Sequence, residues 1–65
     1  MKTKYRIVMK VGNDYVMTDD QKGKEVDKWI DIYKRTPQAE EISIFERDNM
    51  TYKLIHKQNK RRIGF

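Results

Sequence analysis

The sequence predicts an α+β domain of the order β-β-α-β-β, two β-hairpins forming a four-stranded, largely antiparallel sheet with one helix packed on one face. Three observations predict it. Residues 4–11 alternate with a period of two, and the alternation returns from Glu41 onward. Between these segments Val26, Trp29, Ile30 and Tyr33 fall at i, i+3, i+4 and i+7, a single helical stripe. Turn-forming residues, Gly12-Asn13-Asp14 and Asp48-Asn49, interrupt the extended runs where hairpins require them.

In the first strand the period of two puts Tyr5, Ile7, Met9 and Val11 on one face and Lys4, Arg6, Val8 and Lys10 on the other. The faces of the second strand depend on loop length. A three-residue loop places Tyr15 and Met17 with Ile7 and Met9, whereas a two-residue turn places them with the basic residues. We take the three-residue loop, because Asp14 and Thr18 flank Val16 on the more polar side. Residues 19–24 form a polar break, from which either the Thr18-to-Gln21 spacing or the Asp20 carboxylate caps the helix start. The helix comes next, with Glu25 and Asp27 near its start and Lys34 and Arg35 near its end, as the macrodipole favours. Trp29 is expected at the centre of the core, with Ile32 off the stripe. Pro37 stops the helix, since the residue before a proline is pushed out of the helical region.

The third strand sets Ile42 and Ile44 on one side and Ser43, Phe45 and Arg47 on the other. A three-residue second loop pairs Tyr52, Leu54 and His56 with the isoleucine face and leaves Lys53, Ile55 and Lys57 beside Phe45 and Arg47; a two-residue turn inverts the fourth strand. Residues 1–65 are read as one small domain, with 58–65 a basic tail that is either frayed or docked.

At 65 residues the chain holds one small core, because a chain this short hides only about 60% of the surface its unfolded form exposes. Small domains without disulfides often lean on association, so self-association belongs among the expectations. The absence of cysteine excludes disulfides, thiolate catalysis and cysteine-ligated zinc, and makes a reducing cytoplasm the expected location. No membrane-spanning run and no signal peptide is read, Ile7-Val8-Met9 being too short an apolar stretch for either.

Chemistry has little to work with. His56 is the single histidine and Ser43 the single serine. Neither belongs to a nucleophile-base pair, and a metal cage needs three or four converging ligands. Asp19-Asp20 and Glu40-Glu41 are adjacent in sequence, which points strand neighbours to opposite sides. The glycines at 12, 23 and 64 form no phosphate loop. The expectation is a protein that is not an enzyme and takes neither metal nor small-molecule cofactor.

Charge is more telling. Residues 1–10 carry Lys2, Lys4, Arg6 and Lys10, residues 49–65 carry Lys53, Lys57, Lys60, Arg61 and Arg62, and every Asp and Glu lies between them. The net charge is +5, and the fold would gather its excess on the uncovered sheet face. This layout suggests two function classes. In the first, a partner protein or a second copy covers Val8, Phe45 and Ile55 or adds a strand to a free edge. In the alternative, a nucleic acid lies on Lys4, Arg6, Lys10, Arg47, Lys53 and Lys57 with Lys60, Arg61 and Arg62 of the tail, and Phe45 stacks on a base.

Taken as a whole, this Lys-, Ile- and Asp-rich chain resembles the small products of phages and mobile elements of low-GC Gram-positive bacteria. The resemblance implies an accessory protein that binds and inhibits a host protein by occlusion, and it transfers no site residues.

Overall fold

The computed structural model describes residues 3–60. Its elements are β1 (Lys4–Val11), β2 (Asp14–Met17), β3 (Gln21–Lys22), α1 (Gly23–Arg35), β4 (Ala39–Asp48) and β5 (Thr51–Asn59). The α+β expectation holds: one helix lies against an antiparallel open sheet of order β2-β1-β4-β5, in which β3 adds a short fifth strand beside β1. β1 and β4 pair antiparallel across the helical connection. Described residues 3–60 measure 45 × 19 × 19 Å.

The helix begins at Gly23 without a side-chain cap, so neither Thr18 nor Asp20 performs the expected role. Thr18 instead serves β1, its Oγ1 accepting from the Ile7 amide at 3.1 Å and its own amide donating to the Ile7 carbonyl at 3.0 Å. At the other end Thr36, extended as the residue before Pro37 must be, closes the helix. Its hydroxyl donates to the Ile32 carbonyl at 2.7 Å and its amide to the Tyr33 carbonyl.

The core is Ile7, Met9, Tyr33, Ala39, Ile42 and Ile44, with Tyr5, Val11, Val26, Trp29, Ile30 and Ile32 packed against it. Tyr33, not Trp29, is the helix residue fully withdrawn from water. Tyr33 packs among these core residues, and its hydroxyl donates to the Glu40 carbonyl at 3.4 Å. The β1–β4 register shifts between Lys10 and Val11, leaving Glu40 as an extra residue in β4 with no β1 residue opposite it. Each fully buried Tyr or Ile contributes roughly 1.5–3 kcal/mol.

Both hairpin loops are two-residue turns, which corrects the expected registers. Val11 pairs with Asp14 and Asp48 with Thr51. Gly12 (φ 63) and Asn49 (φ 60) occupy the first central positions, where turns matched to strand twist require positive φ. The first turn therefore puts Val16 opposite Met9 on the helix side and sends Tyr15 and Met17 to the open face, opposite Lys10 and Val8. Asp14, opposite Val11, also belongs to the helix side.

The second turn pairs Arg47 with Tyr52, Glu46 with Lys53 and Phe45 with Leu54. Tyr52 and Leu54 thus stand on the open face and Lys53 on the helix side. The register then shifts, Ile44 pairing with His56 and Ser43 with Lys57, so Ile55 is the extra residue of a bulge. One inserted residue restores the phase, and His56 and Lys57 fall on the faces expected of them. β5 continues to Asn59, and the Lys60 amide donates to the Glu40 carbonyl at 3.0 Å, so the basic tail expected from residue 58 begins later. Arg61, Arg62 and the remainder of that tail lie outside the described residues.

Candidate interaction face

The face of the sheet opposite α1 carries a continuous apolar band. Met17 stands opposite Val8, and Phe45 stands opposite both Arg6 and Leu54. Tyr15 joins Met17 on β2, and Tyr52 lies one step along β5 from Leu54. The band crosses β2, β1, β4 and β5 obliquely. Tyr15 is 66% exposed, Met17 60% and Leu54 49%, while Val8 and Phe45 are half-buried among their neighbours. Of the residues expected to meet a protein partner, Val8 and Phe45 are in this band and Ile55 is in the β5 bulge beside it.

The expected cations of this face are largely engaged within the chain. Asp20, in the segment between β2 and β3, is the hub. Its Oδ1 accepts from Arg6 Nη2 at 3.2 Å and from the Tyr52 hydroxyl at 2.8 Å, and its Oδ2 accepts from Arg47 Nη1 at 2.8 Å. Three strands, β1, β4 and β5, thereby converge on one carboxylate. The Tyr52 hydroxyl bond, with the two arginines behind it, holds the Asp20 carboxyl below the usual aspartate range. The same bond, with burial adding to it, raises the Tyr52 phenol above its ordinary value.

The Arg6 guanidinium also lies 4.6 Å from the centroid of the Tyr52 ring, a cation–π contact that lays its aliphatic stem across the face. Arg6 Nε is buried there without a partner. Arg47 Nε donates to the Asn49 carbonyl at 3.1 Å, fastening the second turn to the same group. Farther along, Lys57 pairs with Glu41 at 3.1 Å.

Lys60 is occupied elsewhere. Its Nζ donates to the carbonyls of Tyr33 at 2.7 Å and Thr36 at 2.6 Å, and lies 4.6 Å from the centroid of the Tyr33 ring. A cation set on the last carbonyls of a helix is where the macrodipole favours it. So of the residues expected to meet phosphate, Arg6 and Arg47 answer to Asp20, Lys57 to Glu41 and Lys60 to the helix end. Lys53 is on the other face, and Lys4 and Lys10 remain on the open face without an ion pair of their own among the described residues. The basic platform is smaller and more neutral than the charge layout suggests.

Periodicity alone misses Tyr15, Met17, Tyr52 and Leu54 as open-face residues, and Asp20 as their neighbour. The signal for the first four is the turn chemistry: Gly12 and Asn49 are the residues best able to take positive φ, which fixes two-residue loops and hence the faces. Asp20 has no comparable local signal, because its partners are 14, 27 and 32 residues away.

Among the described residues no group of three or more His, Asp or Glu is arranged to hold a metal ion. His56 is exposed on β5, its Nε2 3.2 Å from the Gln58 side-chain oxygen. A shallow cavity of about 280 Å³ is lined by Pro37, Ala39, Glu40 and Lys60. Among the described residues no helix is long and apolar enough to cross a membrane. No family model matches the chain, and neither a curated protein nor a solved structure matches it.

Proposed function

We propose that this protein is a non-enzymatic interaction module that binds a partner protein through the open face of its sheet and acts by occluding the surface it covers. The observation that carries the reading is the apolar band Tyr15, Met17, Val8, Phe45 and Leu54, laid across four strands with the neighbouring guanidinium groups of Arg6 and Arg47 already paired to Asp20. Apolar area of this kind, rimmed by polar groups, is characteristic of protein contact surfaces. A nucleic-acid platform draws its affinity from cations free to release counterions. On this face the guanidinium groups of Arg6 and Arg47 are bound to Asp20 instead.

The four strands of the face are 8, 4, 10 and 9 residues long, which at about 3.3 Å rise and about 4.8 Å spacing make a sheet of roughly 500 Å², the size of the smaller, transient protein interfaces. Tyr15, Tyr52 and Phe45 supply the aromatic anchors on which such interfaces concentrate their energy.

The test is capture from the lysate of a low-GC Gram-positive bacterium, with and without nuclease, by the full chain and its variants. Supporting the reading are a protein retained after nuclease treatment, its loss with Leu54→Asp or Met17→Asp, and its retention with Lys4→Gln plus Lys10→Gln. Capture that requires nucleic acid, with log affinity falling against log salt at a slope of roughly −3.5 to −4.5 for about five phosphate contacts, would replace this reading with the alternative.

A further inference from the structure

The three partners of Asp20 come from β1, β4 and β5 and meet at one place on the open face. Arg6 stands opposite Phe45, Arg47 lies two residues further along β4, and Tyr52 stands opposite Arg47. Two guanidinium groups and a phenol aimed at one acceptor are what an oxyanion requires. In the free chain that acceptor is a carboxylate from the sheet edge. Thr18 is bonded to Ile7 and Gln21 pairs with Tyr5, so Asp19 and Asp20 together stand opposite Arg6 as a bulge.

The carboxylate fills the place incompletely. Its two oxygens serve Arg6 Nη2, Arg47 Nη1 and the Tyr52 hydroxyl, and Arg6 Nε is left buried with no acceptor. Nε and Nη2 together form the edge of a guanidinium that grips two oxygens at once. An anion with three terminal oxygens can occupy that fork and still reach Arg47 and Tyr52. Charge favours the same ligand. Lys4 follows Arg6 on this face of β1, and Lys22 pairs opposite Lys4, so four cations share this end of the face. Glu46, opposite Tyr5, and Asp48, opposite Thr51, belong to the helix side. Even with Asp19, exposed in the bulge, counted beside Asp20, four cations face two acids.

We propose that Arg6, Arg47 and Tyr52 form a binding site for a phosphate monoester, in which Asp20 is a built-in occupant that the ligand displaces. The dianion brings more charge and one more oxygen than the carboxylate it replaces. Phe45, opposite Arg6, and Leu54, opposite Phe45, supply an apolar wall for the group that the ester carries. A nucleic-acid backbone draws on a row of free cations, whereas a single phosphate group needs only this one point of convergence. This inference does not depend on a protein covering the apolar band.

The experiment titrates phenyl phosphate, inorganic phosphate and acetate into the isotopically labelled full chain at constant ionic strength, following backbone amides and arginine Nε–H signals. The expected result is that Arg6 Nε–H and the amides around Arg6, Arg47 and Tyr52 shift with phenyl phosphate, less with inorganic phosphate, and not with acetate. Asp20→Asn removes the competing charge and tightens phenyl phosphate about tenfold, the factor by which an internal competitor holding roughly nine-tenths of the sites lowers apparent affinity. Arg47→Gln in that background reverses the gain while the signals of Ile7 and Ile42 stay in place, which separates lost binding from lost folding. Among esters, tighter binding of a phosphotyrosine peptide than of phenyl phosphate assigns the group to a protein side chain, and the reverse order to a small molecule; either supports the site. Equal shifts from acetate, no gain in affinity with Asp20→Asn, or no shift at Arg6 and Arg47 in both chains overturns the inference. So does equal binding of a short oligonucleotide without a terminal phosphate, which returns these arginines to non-specific contact with a phosphodiester backbone.

Discussion

The hydroxyl of Tyr52 donates a 2.8 Å hydrogen bond to the carboxylate of Asp20, a residue 32 positions earlier and attached to the opposite edge of the sheet. For this contact to exist the segment after β2 must fold over the open face, and Arg6 and Arg47 hold it there from β1 and β4. One carboxylate thus ties the two hairpins on the open face, as the core of Ile7, Met9, Ile42 and Ile44 does on the helix side. Replacing it leaves two arginines and a phenol facing one another.

Asp20→Asn is therefore expected to lower the urea midpoint of unfolding by more than Asp31→Asn. Asp31 makes one ion pair, with Arg35 at 3.1 Å on the helix surface, and both of those side chains are more than half exposed. Surface pairs of that kind contribute about 0–1 kcal/mol, which sets the comparison. Equal midpoints for the two variants would mean that the hub is an exposed contact with no structural consequence.

The same group gives the stability a pH dependence with a definite sign. In the folded chain Asp20 holds its proton less tightly than in the unfolded one, so its contribution is complete above the ordinary aspartate range and is lost as pH falls through the lowered value. Tyr52 runs oppositely: its pKa is raised, first by the bond to Asp20, so its contribution is complete below the ordinary phenol range and is lost as pH rises through the raised value. Tyr33 adds to the alkaline loss because burial raises its phenol. Urea midpoints measured from strongly acidic to strongly alkaline pH should fall at both ends. In Asp20→Asn the acid fall is smaller, and the alkaline fall shrinks without vanishing because Tyr33 remains; a profile identical to that of the parent chain would remove Asp20 as the cause.

Lys60 supplies a third expectation. Its ammonium joins the end of β5 to the last turn of α1 through two carbonyls and the Tyr33 ring. Lys60→Gln should cost about 1 kcal/mol, the scale of a charge placed on a helix C-terminus, and should speed hydrogen exchange in the last turn of α1. Lys57→Gln, which loses one pair to Glu41 with the lysine half exposed, should cost less than half as much. If exchange in the last turn is the same in Lys60→Gln as in the parent, the cap is not formed in solution.

How far the sequence reveals this arrangement depends on the range of the interaction. Element order, the helix stripe and the assignment of Ile7, Met9, Ile42 and Ile44 to the core are local periodicities, and each appears in the structure as read, save for the two-residue β3 inside the expected polar break. Strand faces beyond a turn are not local in that sense. They hang on loop length, so a one-residue error at Asn13-Asp14 exchanges Val16 for Tyr15 and Met17, and the same error after Asp48 exchanges Lys53 for Tyr52 and Leu54. His56 and Lys57 escape because the bulge at Ile55 restores the phase, a compensation with no signature in the residues around it. Bulged positions and long-range pairs such as Asp20 with Arg47 are set by the assembled sheet. That is why the apolar half of the candidate face is legible only in part, and why charge layout alone overestimates its cationic half.

The turns that decide these faces can be tested directly. Gly12 has φ 63, and a Cβ built on it would meet no heavy atom within 4 Å, so the cost of Gly12→Ala is backbone strain alone, about 1–2 kcal/mol. Asn49 at φ 60 already carries a Cβ in the same region, and its replacement by glycine relieves that strain. Asn49→Gly should leave stability unchanged or raise it by up to about 1 kcal/mol, against a loss of about 1 kcal/mol for Asn49→Val, whose branched side chain resists positive φ. The sign of the difference between the two variants, read from chemical denaturation, is the decisive quantity. A three-residue loop would leave Asn49 free of that constraint and make valine and glycine nearly equivalent. The expected ordering, glycine above asparagine above valine, therefore checks the register that places Tyr52 and Leu54 beside Phe45.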